Sequence, residues 1–171
     1  MADNQATVTS PALSPAYRRI DHIAFAVREL EPAIDFFMSV LGFNLVRRLE
    51  THGKRTGMIS AEMEHNGIKF VLCQGTEPES QVSQLIANYG PGVAHIGLEV
   101  DDVSTTVAKL KADGLSFDTS VIKGAGLEQA FSTRDKNSGL TFEFIHRSGE
   151  QGFLASNVQE LFDQMESSGS Y

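Results

Sequence analysis

Apolar and polar residues alternate through "RIDHIAFAV" at 19–27, with Ile23, Phe25 and Val27 on one parity and His22, Ala24 and Ala26 on the other, as in a strand buried on one face. The pattern returns in "GVAHIGLEV" at 92–100, where His95 takes the place of His22 and Gly97 that of Ala24. Helical spacing follows each strand. In "ELEPAIDFFMSVLGF", Ile34, Phe37 and Leu41 recur along one face, Pro32 suits the first turn and Gly42 the stop; in "DVSTTVAKLKADG" the same stripe is Val103, Val107 and Leu110.

Strand-like runs then complete each unit. In the first they are "FNLVRRLE", "RTGMISAEME" and "IKFVLCQ", the last two joined by the hairpin signal "HNG"; in the second they are "LSFDTSV", "LEQAFST" and "LTFEFIHR". The chain thus reads as α+β, two tandem βαβββ modules whose one-sided sheets form a curled eight-stranded open barrel around a cavity. The expected divisions are a floppy leader over 1–17, a first module over 18–79, a linking helix over 80–90, a second module over 91–147, a closing helix within 148–166 and a frayed tail over 167–171.

Composition narrows the function classes. A formal charge of −8 over 171 residues argues against a nucleic-acid partner. The single cysteine, Cys73, lies in an apolar run and reads as a buried small hydrophobe in a reducing compartment. The N-terminus lacks the basic start and apolar stretch of a secretory signal, and no apolar run is long enough to span a membrane, so the chain reads as cytoplasmic.

The candidate chemistry lies on the parity opposite the core. His22 and His95 occupy equivalent places in the two units, each followed two residues later by a small side chain. Glu143, between Phe142 and Phe144, faces the cavity by the same rule, and a hairpin centred near Lys136 sets Gln129 opposite it, with Phe131 on the same face. Two imidazoles and a carboxylate converging on a cavity form the facial triad of non-haem Fe(II) oxygenases, which leaves three coordination positions open. His52, His65 and His146 read as surface or supporting residues, and Asp101 and Asp102 as a helix N-cap.

Together with the repeat, "IDHIAFAV", "FFMSVLGF", "SQVSQLIANYGPGVAHIGL" and "FEFIHRSGEQGFLASNVQELF" resemble the vicinal oxygen chelate superfamily, and within it the catalytic C-terminal half of 4-hydroxyphenylpyruvate dioxygenase and hydroxymandelate synthase. The likeness spans about 18–166. It implies His22, His95 and Glu143 as iron ligands, Gln129 beside the 2-oxo acid group of a substrate, and Phe131 and Phe153 on either side of an aromatic ring. It implies Asn157 in the closing-helix motif, and Ser60 and Gln74 as the nearest matches to the family's polar pocket residues. The implied activity is that of an Fe(II)-dependent dioxygenase that takes O2 and an arylpyruvate-like 2-oxo acid through oxidative decarboxylation and hydroxylation.

The same scaffold supports metal-dependent isomerases and lyases, such as methylmalonyl-CoA epimerase and glyoxalase I, and non-catalytic binding proteins. The isomerases commonly add a fourth protein ligand where this chain has Val71, which cannot coordinate; Glu62 or Glu64 would be the base in that case. Exposed sheet edges in a half-enzyme make a homodimer a further expectation.

Overall fold

The computed structural model describes residues 15–149 and 152–168. The first module comprises β1 (Tyr17–Ala26), α1 (Leu30–Ser39), β2 (Asn44–His52), β3 (Gly57–His65) and β4 (Ile68–Gly75). The linking helix α2 (Gln81–Tyr89) leads to β5 (Gly92–Val100), α3 (Val103–Ala112), β6 (Ile122–Gly124), β7 (Leu127–Phe131) and β8 (Phe142–Arg147), and α4 (Ala155–Ser168) closes the chain.

The eight strands form a single sheet in the order β2-β3-β4-β1-β5-β8-β7-β6. The repeated strands β1 and β5 pair antiparallel at its centre, and each runs parallel to the last strand of its own module. This joint brings the two histidine strands side by side. Local chemistry agrees with the plan. Asn66 (φ 50°) and Gly67 (φ 82°) make the turn between β3 and β4, a left-handed pair that asparagine and glycine tolerate. Ser80 caps α2 through the amide of Ser83, and Asp102 caps α3 through that of Thr105. Asp101 instead pairs with Arg18 at 2.8 Å, which accounts for both aspartates without a cation.

The helices divide the sheet into two faces. On the convex face, Leu30 and Ile34 of α1 bury against Ala61, Met63 and Leu72, and Val103 and Val107 of α3 against Val100, Ala130 and Phe144. On the concave face, α2 sets Val82 on Ala26 and Cys73, with Leu85 and Ile86 beside them. The Cys73 thiol is buried and its pKa is pushed up to about 12 by that burial, consistent with a packing role. α4 crosses from β2 to β6 and covers the remaining opening. Among the described residues, no helix is long and apolar enough to cross a membrane.

Several boundaries differ from expectation. Tyr17 already belongs to β1, whereas residues 1–14 of the expected leader lie outside the described residues. The anticipated strand over 115–121 is reduced to an isolated bridge between Phe117 and Ser132, and the ladder begins at Ile122. The cause is a side chain: the Thr119 hydroxyl accepts the Phe131 amide at 2.9 Å, in place of a backbone carbonyl. The closing helix begins at Ala155 and runs through Ser168, so the first part of the expected tail is helical, while 169–171 lie outside the described residues.

Candidate metal centre

A continuous row crosses four strands at the middle of the concave face: His22 stands opposite Gly97, Gly97 opposite Glu143, and Glu143 opposite Phe131. One step along the sheet, His95 stands opposite Ala24, which on its other side neighbours Val71. Gly97 is required where it is, since a Cβ there would lie 2.5 Å from Cε1 of the His22 ring.

The three candidate donors meet at one point. His22 Nε2 lies 3.2 Å from His95 Nε2 and 3.0 Å from Glu143 Oε2, and His95 Nε2 lies 3.4 Å from the same oxygen. Donors on one face of an octahedral first-row ion, with bonds near 2.1 Å, stand about 3 Å apart. His22 and Glu143 are buried and His95 is half-buried. Neither oxygen of the Glu143 carboxylate has a hydrogen-bond partner despite complete burial. A buried carboxylate without hydrogen bonds, faced by two imidazole nitrogens, fits a cation bound among them.

Electrostatics separates the two histidines. Burial disfavours charge on His22, but the carboxylates of Glu143 and Asp21 outweigh it and raise the His22 pKa. At His95 burial dominates and lowers the pKa, which favours the neutral ring. Burial alone would raise Glu143; its contacts with the two imidazoles hold it below the usual carboxylate range instead.

Above this point lies a cavity of about 510 Å³. Gln129, Phe131, Thr141 and Arg134 line it from the second module, and Leu49, Met58, Ser60, Val71 and Cys73 from the first. Val158, Leu161, Phe162 and Met165 of α4 roof it. Phe131 stands edge-on to His95 (5.1 Å, 88°) and Phe153 edge-on to His22 (4.8 Å, 85°), so each aromatic ring abuts one imidazole. Gln129 is buried with Oε1 unpartnered.

The hairpin register differs from the expected one. Gln129 faces Ile145, and Phe131 faces Glu143, a shift of two residues that leaves both side chains on the cavity face. Two expected pocket residues lie elsewhere. Gln74 points to the convex layer, where its Oε1 accepts the Leu30 amide at 2.6 Å and caps α1. Asn157 is buried, but its amide donates to the Leu127 carbonyl at 3.0 Å and anchors α4 to β7. Neither lines the cavity. Both candidate bases are engaged. Glu64 accepts the Gly67 amide in the hairpin turn, and Glu62 accepts that of Phe153 at 3.3 Å.

Residue-type reasoning passed over Asp21 and Arg147. Asp21 Oδ1 accepts from His22 Nδ1 at 2.9 Å, which leaves Nε2 for the shared point, and Arg147 grips the same carboxylate through two nitrogens at 2.8 Å each. Arg147 shares the parity of Glu143 and was accessible to that rule. Asp21 was not, because a β-bulge sets Ile20 and His22 opposite consecutive residues of β5 and turns the intervening aspartate inward.

Comparison with known proteins agrees with this architecture. The family model for the glyoxalase/bleomycin resistance protein/dioxygenase superfamily matches residues 19–144. A 4-hydroxyphenylpyruvate dioxygenase of Pseudomonas aeruginosa is 28% identical over 86% of this chain and 51% of its own length. A probable chloroplastic lactoylglutathione lyase of Arabidopsis thaliana is 30% identical over 76% of this chain and 36% of its own. The chain therefore spans about half or less of the length of these two curated relatives. Among solved structures, a 4-hydroxymandelate synthase mutant from Streptomyces coelicolor superposes with a TM-score of 0.78 at 21% identity, covering 86% of this chain and 53% of that one. A methylmalonyl-CoA epimerase gives 0.68 at 22% identity, covering 78% and 97%.

Proposed function

Since the chain belongs to the glyoxalase/bleomycin resistance protein/dioxygenase superfamily, we propose that it is a non-haem Fe(II)-dependent dioxygenase acting on a small 2-oxo acid. The observation that carries this reading is the convergence of His22 Nε2, His95 Nε2 and Glu143 Oε2 within 3.0–3.4 Å beneath an open cavity, with the carboxylate otherwise unpartnered. In this reading those three side chains hold the metal. Ferrous ion in such a site supplies Lewis-acid attachment for the 2-oxo acid and electrons for O2, whose reduction accompanies loss of CO2 and hydroxylation of the remaining substrate.

The chain's own groups do the rest. Gln129, with an unpartnered oxygen in a buried wall, offers its amide to the polar head of the substrate. Phe131 and Phe153 flank the imidazoles and orient the substrate's apolar portion. Val158, Leu161, Phe162 and Met165 exclude water from the reacting end. Ser60 supplies a hydroxyl on the opposite wall, and neither Gln74 nor Asn157 is assigned a substrate contact.

The epimerase likeness, close to full length on that side, favours a second reading as a metal-dependent isomerase or lyase. Val71 counts against it: it lines the cavity level with His95 and has no atom to coordinate. The reading is tested by loading the protein with Fe(II), supplying aryl and aliphatic 2-oxo acids, and measuring O2 uptake with CO2 release. Stoichiometric consumption and release support the dioxygenase. Turnover of a thioester or hemithioacetal with Co(II) or Ni(II), without O2 use, replaces it with the isomerase.

A further inference from the structure

The guanidinium of Arg147 makes more contacts than an ion pair requires. Nε and Nη2 hold the two oxygens of Asp21 at 2.8 Å each, and Nη1 donates to the Gly152 carbonyl at 2.5 Å. Its Cζ lies 5.0 Å from the centre of the Phe153 ring. Asp21 in turn binds His22 Nδ1 at 2.9 Å, and Phe153 packs edge-on to His22 at 4.8 Å. His22, Asp21, Arg147 and Phe153 therefore form a closed circuit. The side chains of Arg147, Asp21 and His22 are 6%, 0% and 1% exposed.

Such burial is an expensive way to obtain stability. A buried ion pair is often no better than well-packed apolar residues of the same volume, whereas it fixes direction in a way apolar packing does not. Here the direction fixed is that of His22, at a bulge where the strand itself no longer dictates it. The backbone of Phe153 is tied to the first module as well, since Arg47 Nη1 donates to its carbonyl at 2.7 Å and Glu62 accepts its amide at 3.3 Å.

We propose that Asp21 and Arg147 are positioning residues that present His22 Nε2 to the metal and, through the same guanidinium, seat Gly152 and Phe153 against the site, so that metal binding and seating of this segment reinforce each other. The coupling is reciprocal: whatever holds His22 in place also holds Arg147 under the Phe153 ring, and whatever unseats Phe153 frees the guanidinium. The inference rests on the reading of His22 as a metal ligand.

The experiment uses the full chain and two variants, Asp21→Asn and Arg147→Lys, with folding verified by circular dichroism. Arg147→Lys keeps the charge beside Asp21 but cannot make the Asp21 and Gly152 contacts together; Asp21→Asn keeps the shape of the acceptor and covers the case in which Arg147→Lys fails to fold. The readouts are Zn(II) affinity, by competition with a chelating dye, and hydrogen exchange of the Phe153 amide, by NMR with and without Zn(II). The expected result is a 10–100-fold loss of affinity in each variant, the range typical of outer partners of metal-bound histidines. Zn(II) should also slow Phe153 exchange about tenfold in the parent chain and less than twofold in Arg147→Lys, or in Asp21→Asn should the lysine variant not fold. Affinities within threefold of the parent, or equal slowing of exchange in parent and variant, overturn the proposal. Failure of the parent chain itself to bind Zn(II), with no change on His22→Ala, brings down the metal reading beneath it instead.

Discussion

His22 Nε2 and Glu143 Oε2 lie 3.0 Å apart, although they come from different modules and from strands separated by β5. That distance depends on the antiparallel joint between β1 and β5 and on the parallel pairing of β5 with β8, so the site belongs to the assembled sheet and not to either repeat. Glu143→Ala should therefore leave the fold in place while lowering affinity for a divalent first-row metal by more than the roughly 10–100-fold that outer partners contribute. Isothermal titration with Co(II), alongside far-ultraviolet circular dichroism, measures both.

Gln129 offers a test that separates binding from stability. Its buried Oε1 has no partner, so Gln129→Leu removes an unsatisfied polar atom and should leave the thermal midpoint unchanged or raise it. The same change should weaken binding of a 2-oxo acid to the metal-loaded protein about tenfold, the equivalent of one hydrogen bond. Differential scanning calorimetry and an anaerobic ligand titration check the two halves.

Val71→Gln addresses the open coordination positions. Position 71 neighbours Ala24 in β1 and Glu62 in β3, level with His95. A glutamine there should retain or tighten metal binding, occupy a position the chelating substrate needs, and weaken 2-oxo acid binding at least ~tenfold. Ligand titrations of the metal-loaded variant measure it.

Glu166 ties the last turn of α4 to the loop between β2 and β3: it accepts from the Thr56 hydroxyl at 2.7 Å and from the amides of Thr56 and Lys54 at 3.1 and 3.2 Å. These bonds, the Thr56 hydroxyl first, hold its carboxyl below the ordinary glutamate range. A carboxyl lowered in the folded state stabilises fully above its unfolded pKa, and that contribution is lost as pH falls through the folded value. Glu166→Gln should cost about 1 kcal/mol near neutrality, and the difference from the parent should shrink under acid conditions. Urea titrations at pH 7 and on the acid side of the glutamate range give the comparison.

Much of this arrangement was legible because strands alternate strictly. The repeat located His22 and His95, and parity put Glu143, Gln129 and Phe131 on their face even with the hairpin register off by two, since an even slip preserves the face. The expectation at Gln74 came with the family resemblance, and parity argues against it. β4 pairs Cys73 with Ser60, so Cys73 shares the cavity with Ser60 while Gln74 must face the other way. What alternation could not supply was Asp21, which a bulge turns inward, and the partners of Asn157, fixed only once α4 packs on β7. Thr119 replaced a ladder bond with its hydroxyl, and so the expected strand at 115–121 faded to a single bridge.

The most direct test of the central claim is an anaerobic optical titration. Fe(II) and phenylpyruvate added to the parent chain should produce a visible charge-transfer band saturating at one ion and one 2-oxo acid per chain, and the band should be lost in His22→Ala, His95→Ala and Glu143→Ala alike. A band that survives any one of these substitutions, or its absence from the parent chain at saturating iron, would contradict a ferrous centre held by those three side chains with room for a chelating acid.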